Sequence, residues 1–213
     1  MPGVEARGRA RAFDGVPPVT GGAILLPDPA LIMLVGAAGA GKSTFAARHF
    51  TSADILSSDA FRAAVSGDEA DQRSTRTAFS ILHREVVRRL AVGRLVVVDA
   101  TNVERYARRA LVARARLAGV PAIAIVLALP AAIVHDWNGG RLGRVVDPAV
   151  VDRHLERLTV ALGAGGIADE GFAAVHILGS VAEIDRVAVE REHTAGARDS
   201  SVAAVRGRRS PRR

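Results

Sequence analysis

The sequence contains no cysteine, which excludes disulfides and thiolate metal sites and makes a reducing compartment the natural setting. It also lacks any apolar run near the roughly 20 residues that a membrane-spanning helix requires. Arg7, Arg9 and Arg11 are followed by proline, glycine and threonine instead of an apolar stretch. No signal peptide is read there, and a cytoplasmic protein with no membrane attachment is expected. Lysine is almost absent. Of 29 basic residues 28 are arginine, and the one lysine is Lys42. This usage, with abundant alanine, valine and glycine, looks like the codon bias of a GC-rich genome. It makes the exception informative, because arginine is used wherever arginine would serve.

The 213 residues suit one ordinary domain with some chain left over, and an apolar share of 49% is that of a globular protein. The net charge of +7 favours phosphate-rich partners without naming one. Several arginines lie in the tail, where Arg206, Arg208, Arg209, Arg212 and Arg213 read as solvated.

Three regions are expected: a flexible Gly/Pro-rich arm over residues 1–24, a folded domain over 25–192, and a basic disordered tail over 193–213. Within the domain, short apolar runs at Leu31–Val35, Ala53–Leu56, Leu95–Val98, Val120–Leu129 and Phe172–Leu178 read as strands. Helices are expected over Ser43–Phe50, Thr77–Leu90, Glu104–Ala118, Pro148–Ala161 and Val181–Arg191. Buried strands alternating with helices predict an α/β fold, a central parallel sheet with helices on both faces. Ligands of such folds sit beyond the carboxyl ends of the strands. The polar clusters Gly39–Thr44, Ser57–Arg62 and Asp99–Asn102 all fall there.

Gly36-Ala37-Ala38-Gly39-Ala40-Gly41-Lys42-Ser43 fits the phosphate-loop pattern G-x-x-x-x-G-K-[ST], and Thr44 continues it into the helix. The glycines let backbone amides turn inward around phosphates, and the helix N-terminus adds partial positive charge. Lys42 is a compact charge for the β- and γ-phosphates, and the Ser43 hydroxyl is suited to Mg²⁺. ATP and Mg²⁺ are therefore the expected ligands. No second lysine exists to build the Asn-Lys-x-Asp motif of Ras-type GTPases, and Asp99 is followed by Ala100 instead of a water-polarising glutamate. Both absences argue against water as acceptor. Asp99 reads either as a support for hydrated magnesium or as a strand-end aspartate capping a turn with Asn102.

Asp59, just past the second strand, is the candidate base for an incoming hydroxyl, with Arg62 one helical turn on as a phosphate clamp. The competing reading is local: Ser58 or Asp59 caps a helix and Arg62 is solvated. The residues alone leave both open. Arg141 and Arg144 flank a glycine in a segment between helices, where a cationic lid would close over a transferring phosphoryl group. Arginine is frequent enough here for two to fall there by chance.

From about Leu25 to Glu192 the chain resembles the kinase domain of bacterial polynucleotide kinase-phosphatase, an RNA-repair enzyme, and more distantly bacteriophage polynucleotide kinase. The likeness rests on Leu-Val-Gly-Ala-Ala-Gly-Ala-Gly-Lys-Ser-Thr-Phe at 34–45, Ser-Ser-Asp-Ala-Phe-Arg at 57–62 and Gly-Asp-Glu-Ala-Asp-Gln at 67–72. Val-Val-Asp-Ala-Thr-Asn-Val at 97–103 and the arginine-bearing segment at 141–144 complete it. The resemblance implies a P-loop kinase fold with a small arginine-bearing lid, moving the γ-phosphate of ATP to the 5′-hydroxyl end of RNA or DNA. It implies Lys42 and Ser43 for ATP and magnesium, Asp59 as general base, Arg62 on the acceptor's phosphate, and Arg141, with Arg144, on the phosphates of ATP. Two departures stand. The family enzyme carries phosphatase and ligase modules that 213 residues do not hold, so such activities are expected from separate proteins. The lid begins Asp136-Trp137-Asn138-Gly139-Gly140, richer in glycine than the family pattern. A kinase of a small molecule such as a nucleoside, sugar or antibiotic is the alternative, as is a nucleotide-gated binding protein with little turnover.

Overall fold

In a computed structural model, residues 22–66, 72–141 and 145–193 are described. The expected arm up to residue 21, most of the acidic motif at 67–71, Arg144 of the lid and the tail beyond 193 lie outside them. The elements run β1 Ala23–Asp28, β2 Leu31–Val35, α1 Lys42–His49, β3 Ile55–Ser57, α2 Ser58–Ser66, α3 Gln72–Ala91 and β4 Val96–Asp99. They continue with α4 Arg105–Leu117, β5 Ala122–Leu127, α5 Ala131–Gly139, α6 Pro148–Leu162, β6 Ala174–Leu178, α7 Val181–Arg186 and β7 Ala188–His193.

Five strands form one parallel sheet in the order β3-β4-β2-β5-β6. The chain leaves β2 toward β3 and leaves β5 toward β6. These connections diverge, which opens a crevice beyond the carboxyl ends of the central strands. Side chains alternate across the sheet as the pleat requires. Ile32, Leu34, Val97, Ile123 and Ile125 pack with Phe45 and Ala46 of α1, Val134 of α5 and Ile184 of α7. Leu31, Met33, Val96, Val98 and Ala124 face the opposite way, onto Leu82 and Val86 of α3 and Leu111 and Ala115 of α4. The sheet is thus apolar on both faces, and the expected fold class holds.

Two segments differ from the sequence reading. The closing helix stops at Arg186, and Ala188–His193 becomes a strand paired in parallel with Ala23–Asp28. The two strands make a separate ribbon. Helical spacing over 181–191 masked an alternating run of Val187, Val189 and Arg191 that gains ladder partners only when the N-terminal segment is present. Arg191 anchors the ribbon, donating to Asp54 Oδ2 at 2.6 Å and lying over the Phe50 ring at 5.8 Å. The second difference is α2, which begins directly at Ser58.

One buried ion pair braces the loop after β4. Arg108, 1% exposed, donates Nε to Glu170 Oε2 at 2.7 Å, and its Nη2 pairs with Oε1 at 2.5 Å. Its Nη1 reaches the carbonyls of Asn102 and Val103 at 3.0 and 2.7 Å. A bidentate carboxylate partner plus two carbonyls satisfies most of the guanidinium, which is what burial of such a charge demands. Glu170→Ala should therefore cost about 3–5 kcal/mol, while Arg108→Met with Glu170→Leu should recover part of that loss. Urea unfolding midpoints check both, and equal stability of wild type and Glu170→Ala would refute the assignment.

Candidate functional site

The phosphate loop begins where β2 ends and is held by the neighbouring loop. Gly36 N–H donates to Thr101 O at 2.9 Å, and Asn102 Nδ2 donates to Leu34 O at 2.7 Å. Asn102 adopts a positive φ of 49°, a conformation that asparagine tolerates better than most residues. Gly39 and Gly41 have φ of 86° and 82°. A Cβ on Gly39 would lie 2.8 Å from that of Asn138, and one on Gly41 2.9 Å from the Trp137 ring. Glycine is required at both for backbone angle and for space, since α5 packs directly on the loop.

Lys42 is the first residue of α1 and only 7% exposed. Its Nζ donates to Ala37 O at 2.6 Å, so the ammonium bends back over the start of the loop. Burial lowers its pKa from 10.5 to about 8, against the pull of Asp99 and with a further push from Arg141. Ser43 Oγ donates to Asp99 Oδ2 at 2.7 Å. Ser57 of β3 lies opposite Asp99 of β4 in the ladder, so Asp59 emerges two residues beyond the partner of Asp99. Arg62 Nη2 is paired with Asp59 Oδ1.

These groups share a cavity of about 1250 Å³. Ala38, Gly39, Gly41, Lys42, Ser43 and Thr44 line one wall, and Asp59, Arg62, Asp99 and Arg141 also face it. Of the remaining expected loop residues, Gly36, Ala37 and Ala40 are buried behind that wall and form its backbone support. Arg144 lies outside the described residues. Of the local alternative, Ser58 or Asp59 as helix cap with Arg62 solvated, the structure shows a helix that begins at Ser58 with Asp59 in its first turn, the Ser57 hydroxyl accepting from Ala60 N–H at 3.4 Å, and Arg62 paired with Asp59.

Among the lining residues that sequence reading did not single out as site residues are Phe79 of α3, Trp137 of α5 and His154 of α6. Trp137 carried a signal, being the chain's one tryptophan. His154 carried none, for its partner is 116 residues away: Ala38 N–H donates to its Nδ1 at 3.4 Å. Burial, then the charges of Lys42 and Arg153, lower the pKa of His154 and favour the neutral ring. With Nδ1 accepting, Nε2 carries the proton.

Residues 31–161 match the family model AAA_33, described as an AAA domain. The chain belongs to that family. No curated protein matches it significantly. Among solved structures, the chain is similar to a chain of the Pnkp1/Rnl/Hen1 RNA repair complex, with 23% identity, a TM-score of 0.55, and 62% of this chain covering 45% of that one. It therefore spans less than half the length of that relative. Chaetomium thermophilum Kti12 in complex with ADP-AlF3 is similar at 17% identity and a TM-score of 0.54, covering 73% of this chain and 93% of that one. A structure of the PezAT toxin-antitoxin system of Streptococcus pneumoniae aligns at 16% identity and a TM-score of 0.53, over 75% and 69% of the two chains. At these identities the likeness is one of fold: a P-loop kinase fold. No helix among the described residues is long and apolar enough to cross a membrane.

The AAA domain also forms a neck at the segment expected to act as a lid. Asn138, buried, donates Nδ2 to Val146 O at 2.7 Å and accepts from Val146 N–H at 3.1 Å. Arg141 leaves from this neck toward the cavity. For Lys42 the sign of the pH dependence follows from its depressed pKa. The folded state binds fewer protons than the unfolded state between about pH 8 and 10.5, so burial costs stability below 8 and the cost fades toward 10.5. Lys42→Met should therefore be more stable than wild type at neutral pH, by an amount on the order of a few kcal/mol, with the gap narrowing as pH rises. Urea unfolding across that range checks it; a gap independent of pH would contradict the buried charge.

Proposed function

We propose that this protein is an ATP-dependent phosphotransferase that moves the γ-phosphate of ATP to a hydroxyl acceptor, the 5′-hydroxyl end of a nucleic acid. One observation carries the reading: a phosphate loop with its lysine and a carboxylate–arginine pair, Asp59 and Arg62, share one cavity. In the proposed reaction the acceptor oxygen forms a bond to the γ-phosphorus as the bond to the β,γ-bridging oxygen breaks. ADP leaves, and the hydroxyl proton passes to Asp59. Amides of Gly39–Thr44 and the Lys42 ammonium hold the triphosphate, and Arg141 neutralises charge on its outer side. Ser43 and Asp99, a hydroxyl and a carboxylate in contact, are oxygen ligands suited to Mg²⁺ or its water shell, and the ion would neutralise phosphate charge there. An acceptor phosphate beside its hydroxyl would draw Arg62 from Asp59, freeing the base as the clamp forms. That exchange favours a nucleotide acceptor over a plain alcohol or sugar. Pnkp1's place in an RNA repair complex accords with it.

His154 belongs to the same reading. Lys42 reaches back to Ala37, so the start of the loop is the γ-phosphate end, and the Nε2–H of His154 is the donor beside it.

Asp59→Asn should lower kcat by roughly 10²–10⁴ with ATP binding preserved. Arg62→Ala should lose about tenfold or more in kcat/KM on a 5′-hydroxyl oligonucleotide and far less on a lone nucleoside. Labelled ATP with both acceptors measures this; a near-normal kcat for Asp59→Asn sinks the base, and equal losses for Arg62→Ala favour a small-molecule acceptor.

His154→Asn keeps an acceptor for Ala38 N–H, and His154→Gln keeps a donor at the Nε2 position. An ATP analogue with an uncleavable β,γ-bond should bind about tenfold more weakly to the Asn variant and near normally to the Gln variant, with ADP affinity little changed in either. Equal losses for the analogue and ADP would restrict His154 to positioning the loop.

A further inference from the structure

Charge is distributed unevenly over the fold. Helices α3 and α4 together contain ten arginines and one acidic residue, Glu85. Their formal charge of +9 exceeds the +7 of the whole chain, so all remaining residues are together net negative. The two helices lie side by side on one face of the sheet, their apolar sides turned into the same core. Some of the charge is spent internally: Arg108 on Glu170, Arg88 and Arg89 on Glu85. Arg76, Arg84, Arg109 and Arg116 are exposed, and among the described residues none is paired with a carboxylate. Arg105, Arg109 and Arg116 recur at helical spacing along the outer side of α4.

Aromatic side chains accompany this face. Tyr106, the chain's one tyrosine, is 76% exposed between Arg105 and Arg109 at the start of α4. Phe79 of α3 lines the cavity that holds Asp59 and Arg62. An exposed aromatic ring offers a flat face on which a base can stack, and planar guanidinium groups match phosphate oxygens bidentately. A positive track with a ring on it and a second ring at the cavity fits single-stranded nucleic acid, whose bases offer a π-face to each ring and whose backbone offers a charge at every step. An acidic peptide would supply charge without flat faces to stack.

We propose that the outer face of α3 and α4 binds the backbone of a single-stranded polynucleotide whose 5′ end enters the cavity past Phe79. The direction of the strand rests on the phosphotransfer reading above; the binding face does not. It extends that reading from the terminal nucleotide to several nucleotides beyond it, and makes polymer length a determinant of affinity.

Fluorescence anisotropy with labelled 5′-hydroxyl oligonucleotides of three and twenty nucleotides, without ATP and over a salt series, tests the face directly. Wild type should bind the longer strand much more tightly, with affinity falling steeply as salt rises. The triple variant Arg84→Glu, Arg109→Glu, Arg116→Glu should lose at least tenfold on the long strand. The milder Arg→Gln triple should flatten the salt dependence by about two in log–log slope, at roughly 0.7 per lost phosphate contact. Tyr106→Ala should weaken the long strand alone. Neither triple variant should change the thermal midpoint greatly or the rate of phosphate transfer to the trinucleotide. Unchanged long-strand binding in both triple variants, no long-strand binding by wild type, or tighter binding to phosphatidylserine vesicles than to the oligonucleotide would each overturn the proposal. Failure to phosphorylate any acceptor, with length-dependent binding intact, would instead overturn the kinase reading and leave this face standing.

Discussion

An ammonium group held almost without water is the constraint around which this site is built. Lys42 is 7% exposed and its pKa falls from 10.5 to about 8. A charge so placed is tolerated only where oxygen atoms replace the lost hydration, and here they come from the Ala37 carbonyl and the field of Asp99. That arrangement costs stability, and a bound polyanion would relieve it, because phosphate oxygens favour the charged form. The same low exposure strengthens every electrostatic contact a bound triphosphate would make. The chain's one departure from arginine thus sits at a buried position bent back onto the loop, where a compact point charge differs most from a planar guanidinium.

Precision at this lysine comes from elements remote in sequence. The loop is fastened to β4's exit through Thr101 and Asn102. That exit is itself fastened by the buried Arg108–Glu170 pair. The β3–β4 register then brings Ser57 opposite Asp99, which carries the Asp59–Arg62 pair to the same cavity. Three successive constraints therefore link Glu170, near the end of the fold, to the geometry of the nucleotide loop. A site resting on strand register and buried hydrogen bonds is stiffer than one formed by loops alone.

How much of this was legible depended on sequence distance. The phosphate loop is contiguous, its glycines are needed for local reasons, and it could be read directly. The strands of the main sheet were legible as short apolar runs, and the three central ones, β2, β4 and β5, are buried throughout. The ribbon of β1 and β7 was not, since Ala23–Asp28 gains strand character only through pairing with residues 165 positions on at Ala188–His193. His154 and Glu170 were invisible for the same reason: their partners, Ala38 and Arg108, are 116 and 62 residues away. Asp59 stood between: its place beside the loop could be read from the strand order, while its pairing with Arg62 on the same cavity appears only in the fold.

Net charge illustrates the same limit in another form. A total of +7 in a chain biased toward arginine is explained by composition alone. Once the sequence is folded the question changes, because codon bias has no reason to separate arginine from acidic residues along one layer of helices. Random placement would scatter carboxylates over α3 and α4 as over the rest of the surface; instead these helices carry one. Like charges so gathered repel one another in the folded state and must be tolerated at some cost. A polyanion would offset that repulsion with its own charge while releasing its condensed counterions, so the uneven distribution, more than the total, bears on the partner.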